Sequence, residues 1–279
     1  MKKRTITGIL LAVILLPIVY FGGLVFEILC GLATLCAAYE LRKMFYARKL
    51  KNWKFADFLN VFLSVVTYFV ILYQSLTNKY ILTLFLLLGL FLVAGLLLVF
   101  DKEFKGDDFG RYLITIFYSS VGFSSIAILR NKGLMVILAL ILIATMTDIF
   151  AYIIGVSFGK HKLCPEISPK KSVEGAIGGL FFGGITGGLV MFLTSFKDEI
   201  GFHLNPLIWI LVAFTLSILG QIGDLVASKL KRTYDIKDFS NIFPGHGGIL
   251  DRFDSLIFIA CSLYFIVIWV EMLWKIFIY

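Results

Sequence analysis

GLMVILALILIATMTDIFAYIIGV, residues 133–156, decides the fold. Only one of its 24 residues, Asp148, carries a charge. A helix of this length spans the roughly 30 Å hydrocarbon core of a bilayer. Runs of the same kind fill the rest of the chain. Of its 279 residues, 59% are hydrophobic, 16% aromatic and 16% charged, with a mean hydropathy of +0.94. A soluble globule carries about 45–50% apolar residues, so the sequence implies an all-α polytopic integral membrane protein. At about 20 residues per span there is room for about nine transmembrane helices. They are expected at 6–22, 24–41, 57–76, 80–100, 112–129, 133–156, 174–196, 207–229 and 255–275, as a single transmembrane domain over 1–279. The first two runs are short for fully spanning helices and meet at Gly22-Gly23. The Met-Lys-Lys-Arg start imitates a signal peptide, but no small-residue cleavage site follows, so the first run is expected to stay as a helix. Cys30, Cys36, Cys164 and Cys261 lack zinc or disulfide spacing and read as packing residues.

The basic residues set the orientation. Placing the N-terminus in the cytoplasm puts 21 of the 26 Lys and Arg on the cytoplasmic side, as the positive-inside rule requires. The C-terminus is then outside, and the segments 157–173 and 228–254 both face the cytoplasm. The expected location is the cell's inner (plasma) membrane. A net charge of +8 suits membrane lipids with anionic headgroups and cytosolic nucleotides. Nucleic acid is not expected as a partner, because no soluble module is present to carry it.

Polar residues inside the spans are the candidates for chemistry. A carboxylate at mid-helix costs about 2.5–3.5 kcal/mol on insertion scales, so Asp148 is expected to face a polar interior. Thr145 and Tyr152, at i−3 and i+4, share its face; a purely structural, hydrogen-bonded acid is the alternative. Downstream, Ser168-Pro169 is expected to open the next helix, gathering Lys170, Lys171 and free backbone N–H groups at its N-terminus in an arrangement that suits a phosphate. The same residues also suit a cationic loop facing anionic lipid. Gly175, Gly179, Gly183 and Gly187, with Gly184 and Gly188 beside them, form a small-residue ridge for close helix packing. A homodimer through this glycine-rich helix, 174–196, is one candidate use. Gly220, Asp224, Ser228 and Lys231 form one stripe of span eight. After the loop, Asp251 and Asp254 stand at i and i+3. Asp254, followed by Ser255, reads as a helix N-cap, whereas Asp251 reads as a ligand. Pro244-Gly-His-Gly-Gly248 lacks the ending of a Walker loop and says only that backbone comes close to something.

Ser228 to Asp254 resembles the signature of phosphatidate cytidylyltransferases, also called CDP-diacylglycerol synthases. Ser228, Lys231, Arg232, Lys237, Asp238, His246, Gly247, Gly248, Asp251, Arg252 and Asp254 meet its fixed positions. Ser168–Gly175 is similar to a second segment of the family, with Ser172 where threonine is common; residues 1–130 match no motif. The resemblance implies that phosphatidate and CTP react to CDP-diacylglycerol and pyrophosphate with Mg²⁺, and with a second, monovalent or divalent cation as a further candidate. In this reading Asp224 and Asp251 are the metal ligands, with Asp148 as a candidate third acid. Lys170, Lys171, Lys231, Arg232 and Arg252 clamp phosphates, and Ser228, Lys237, His246, Gly247 and Gly248 line the substrate site. Two rivals share the membrane setting: a CTP-dependent polyprenol or dolichol-type kinase, and an ion-coupled secondary transporter.

Overall fold

The computed structural model describes residues 13–45, 54–77, 81–243, 245 and 247–278. The start of the expected span 6–22 lies outside these residues. Helix α1, over 13–21, ends at Gly22-Gly23, where both glycines have positive φ of 64° and 62°. That conformation favours glycine and marks the expected break. The helices that follow are α2 Gly23–Phe45, α3 Phe55–Thr77, α4 Ile81–Phe100, α5 Gly106–Ile116 and, after a π-turn at Phe117–Val121, α6 Gly122–Lys132. Next come α7 Leu134–Phe158, strands β1 Lys162–Cys164 and β2 Ser168–Ser172, and α8 Val173–Leu193. The short α9 Phe196–Ile200, α10 Pro206–Thr233 and α11 Leu250–Ile278 complete the chain. Among the described residues, eight helices are long and apolar enough to cross a membrane, one of them running through the π-turn from Gly106 to Lys132.

Two expectations change here. Residues 168–172 pair antiparallel with 162–164 as a hairpin, with Lys162 opposite Ser172. Pro169 therefore does not open a helix; α8 starts at Val173, and Ser172 caps it by accepting from Gly175 N at 3.2 Å. A serine cap stabilises a helix start, and Pro169, lacking an N–H, is tolerated in a strand that pairs on one edge only. At the other end, α11 starts at Leu250, so Asp254 lies within its first turns rather than at the cap.

The chain divides into two compact units. The first holds residues 1–128 and 233–252. Its α3 is inverted relative to a soluble helix: Asp57, Asn60, Ser64, Thr67 and Gln74 are buried along one face, while Phe58, Phe62, Phe69 and Tyr73 are exposed. Lipid accepts the apolar side, and the polar side is satisfied by protein. Asp57 pairs with the buried Arg42, Asn60 Nδ2 donates to Tyr112 O at 3.0 Å, and Ser120 Oγ donates from the π-turn to Ser64 O at 2.7 Å. An apolar cluster of Ala56, Leu90, Ala94, Phe104, Tyr112 and Ile116 packs beside it.

The second unit holds 129–232 and 253–279, and its organising element is α8. A Cβ on Gly175 would stand 2.5 Å from Ala151 O, one on Gly179 2.6 Å from Thr147 O, and one on Gly187 would collide with Ile143. As α8 ascends, its partners on α7 descend, so the two helices run antiparallel with backbones in near contact. Gly184 and Gly188 do the same against Phe214 and Ile210 of α10. The buried Thr147 and Ser217 hydroxyls bond at 2.7 Å across this layer. On α10, Gly223 lets α11 approach until a Cβ would meet Asp254 O at 2.7 Å. Small residues replace the hydrophobic effect as the means of helix association in lipid.

Overpacking a tight contact costs about 1–3 kcal/mol. Gly179→Leu is therefore expected to lower the melting temperature and the monodisperse yield of detergent-purified protein. Gly89→Leu, where a Cβ meets nothing within 4 Å, is expected to leave both unchanged. Equal behaviour of the two variants in a fluorescence melt would contradict the packing described.

Candidate active site

Four elements of the second unit bring charged side chains together at one end of its helices. Asp148 comes from α7, Lys171 from the end of β2, Asp224, Ser228 and Lys231 from α10, and Asp254 from α11. Lys171 Nζ forms an ion pair with Asp224 Oδ2, and Ser228 Oγ donates to Asp224 Oδ1 at 3.4 Å, as their i, i+4 spacing allows. Asp148 lies within electrostatic range of Asp224 and Lys171. Asp254 lies within range of Asp224, Lys231 and Asp148. Lys231 is only 9% exposed, so its charge acts in surroundings where water screens little. Three carboxylates and two ammonium groups thus form one cluster.

This arrangement places Lys171 somewhat differently from a phosphate clamp standing alone, since it already balances Asp224. Lys170, one residue earlier on β2, is exposed, as is Arg232 at the end of α10. Thr145 does not serve Asp148; its hydroxyl donates to Ile141 O of its own helix. Glu174, at the start of α8, holds the hairpin. It accepts from Lys160 N at 3.1 Å and from His161 N, and meets His161 Nδ1 at 2.6 Å.

The glycine turn belongs to the first unit. Phe243 and Gly247 exchange backbone hydrogen bonds of 2.9 and 3.1 Å, and Gly247 has φ of 82°, so this position calls for glycine. Asp251 Oδ2 accepts from Phe239 N at 2.8 Å and Gly248 N at 2.9 Å. A Cβ on Gly247 would stand 2.7 Å from the same oxygen. Lys237, Asp238 and Arg252 are exposed. His246 lies outside the described residues.

Two participants were not anticipated from sequence. Asp254 looked like a cap because Ser255 and an apolar run follow it; its place in the cluster emerges only once α11 is seen to begin four residues earlier. Glu40 of α2 accepts from Ser240 Oγ at 2.5 Å, Ile249 N at 2.9 Å and Leu250 N at 2.9 Å. An ionisable residue within a spanning helix was the available signal.

Among the described residues, eight helices long and apolar enough to cross a membrane, with one short hairpin and clustered acids and lysines, define a polytopic α-helical membrane protein. Comparison with known proteins narrows this. A profile of the cytidylyltransferase family matches residues 2–270, and the chain belongs to that family. Among similar proteins is the phosphatidate cytidylyltransferase of Staphylococcus aureus strain COL, 36% identical over 266 residues, covering 93% of this chain and 96% of the relative. Those of Staphylococcus epidermidis strain ATCC 12228 and Staphylococcus haemolyticus strain JCSC1435 are 36% and 37% identical over the same shares.

The cluster has an energetic signature. Lys171→Met leaves three carboxylates facing Lys231 alone and is expected to lower the melting temperature more than Asp224→Asn. The double variant should recover part of the loss, with a coupling within about 0.5–3 kcal/mol. Additive losses in a double-mutant melting cycle would show that the pair is energetically idle.

Proposed function

We propose that the chain transfers the cytidylyl group of CTP to phosphatidate, giving CDP-diacylglycerol and pyrophosphate for phospholipid synthesis. The observation that carries the reading is the acid–lysine cluster of Asp148, Lys171, Asp224, Lys231 and Asp254, in a chain whose relatives are named phosphatidate cytidylyltransferases. A phosphate oxygen of phosphatidate attacks the α-phosphorus of CTP, and the bond from that phosphorus to the β-phosphate oxygen breaks. The attacking phosphate monoester is already ionised near neutral pH, so no strong general base is required. The difficulty is bringing one anion onto another, and cationic side chains at the site answer it. Lys170, Lys171, Lys231, Arg232 and Arg252 are the proposed phosphate contacts, and Lys171 would exchange its bond to Asp224 for one to substrate. The turn at Gly247 and Gly248, with Ser228, Lys237 and His246, is assigned to substrate binding.

The donor set fits Mg²⁺. Asp148, Asp224 and Asp254 offer only carboxylate oxygens, the hard ligands this ion selects. Mg²⁺ takes one or two carboxylates and completes its shell with phosphates and water. Asp224 is proposed as a ligand, supported by Asp148 and Asp254. Asp251 is proposed as a ligand whose carboxylate is fixed by its hold on Phe239 and Gly248. When bound, Mg²⁺ would offset charge on the attacking and leaving oxygens.

Nine spans with a cytoplasmic N-terminus and the reacting groups at the cytoplasmic face of the inner membrane complete the proposal, supported by the charge asymmetry. A homodimer through α8 would have to use the outer face with Ile177, Phe181 and Leu189, which are exposed, because the glycines are covered by α7 and α10. The lipid-kinase and transporter readings are not favoured by the family match.

Detergent-purified protein given CTP, phosphatidate and Mg²⁺ is expected to release CDP-lipid and pyrophosphate together; CDP with a newly phosphorylated lipid would instead establish a kinase. Asp224→Asn, Asp251→Asn and Asp254→Asn should each purify normally and lose turnover by about 10²–10³-fold, the usual cost of removing one electrostatic group from a reacting site. Near-normal activity with unchanged Mg²⁺ dependence would exclude the residue concerned.

Single cysteines at Lys162 and Asn241, both exposed, report the orientation. In a cysteine-free background they are expected to resist impermeant thiol reagents in intact cells and to react after lysis. Labelling in intact cells would overturn the cytoplasmic assignment.

A further inference from the structure

We propose that Glu40 is a positioning residue for the reaction, acting through the glycine turn and the first turn of α11; the proposal rests on the cytidylyl-transfer reading above. Glu40 lies in the last two turns of α2, in the part of the chain without any recognised motif, and is fully buried at 0% exposure. Its oxygens divide three donors. Oε1 takes Ser240 Oγ and Ile249 N, and Oε2 takes Leu250 N. The first N–H groups of a helix have no partner within it. Here a carboxylate more than 200 residues away in sequence supplies that partner and lies favourably against the positive end of the helix dipole.

The same side chain accounts for Gly248. A Cβ there would collide with Glu40 Oε1 and stand 2.6 Å from Ser240 Oγ. A side chain at Gly247 would meet Asp251 and one at Gly248 would meet Glu40, so the two adjacent glycines answer to two carboxylates. A second contact secures the start of the loop: Tyr234 packs edge-on against Phe45 at 5.2 Å between ring centroids and meets Arg111 Nε at 3.3 Å through its hydroxyl. Tyr234 is thereby held by α2 and α5, and Ile249 and Leu250 by α2. Glu40 touches no reacting atom in this account. It sets where the turn and the carboxylate of Asp251 stand.

Glu40→Gln keeps the volume, but its amide nitrogen presents a donor to a group that already donates, so at least one of the three bonds is lost. A misplacement of about 1 Å can cost about 100-fold in rate, and a loss of that size in kcat/KM, carried mainly by kcat, is expected. Ser240→Ala tests the same link from the loop side without touching the helix interior, and should lower kcat by a smaller factor. In the Glu40→Gln background it should add almost nothing, because its partner is already impaired. Tryptic cleavage after Lys237 should accelerate in Glu40→Gln while the global melting temperature holds, a result a general loss of stability would not give. Wild-type protein assayed in parallel separates the two levels: failure of the wild type to make CDP-lipid removes the functional reading. An active wild type with Glu40→Gln within threefold of it in kcat/KM, additive losses with Ser240→Ala, or unchanged loop cleavage each overturns the positioning role. If Glu40→Gln does not fold, Ser240→Ala with wild-type kcat and wild-type tryptic protection likewise overturns it.

Discussion

An ionised carboxylate in a bilayer-spanning helix must be given donors or cations by its own chain, and much of this structure follows from that demand. Water is not at hand to solvate it, and leaving it bare costs kilocalories per group. Asp57 receives Arg42, Glu40 receives a hydroxyl and two backbone N–H groups, and Asp224 receives Lys171 and Ser228. The bonds of Glu40 to Ser240, Ile249 and Leu250 and the pair of Asp224 with Lys171 join elements far apart in sequence. The acids therefore act as fasteners as well as candidates for chemistry, and a single carboxylate can do both, as Asp251 does when it grips Phe239 and Gly248.

The acid cluster shows how fastening and chemistry separate. Glu40 has three donors arranged around it. It is satisfied. Asp148, Asp224 and Asp254 instead repel one another and share Lys171 and Lys231. A chain under no functional pressure would gain by replacing one of these acids with an apolar residue, since buried ion networks seldom exceed apolar packing in stability. The proposed cation, or substrate phosphates that rearrange the lysines, would give such a group its use.

Eight of the nine expected spans coincide with described helices long enough to cross a membrane, because hydropathy is a local property, summed over about 20 residues. Gly22-Gly23 was legible for the same reason: a glycine pair between two apolar runs breaks a helix wherever the runs end up. The hairpin at 162–172 was not. Ser168-Pro169 is a sound helix opening taken alone, and only the pairing of Lys162 with Ser172 shows that the chain stays extended until Ser172. Asp254 failed similarly, since its flanking residues suit a cap, whereas α11 starts at Leu250, where Ile249 N and Leu250 N donate to Glu40. Glu40 itself was invisible as a partner because no pattern in a window of sequence connects residue 40 to residue 249.

That connection explains why residues without any motif accompany a motif-rich loop. A loop containing Gly245, Gly247 and Gly248 gains the close backbone approach that phosphates need, but glycine also widens the unfolded ensemble and leaves the turn poorly specified. A side chain at Gly247 would collide with Asp251, and one at Gly248 with Glu40 and Ser240. Order has to come from outside, through groups that bind backbone N–H rather than occupy the turn. Asp251 and Glu40 have that chemistry, and Arg111 and Phe45 hold Tyr234 at the other end. The first unit thus gives its glycine turn a defined geometry with few specific side chains at widely separated positions.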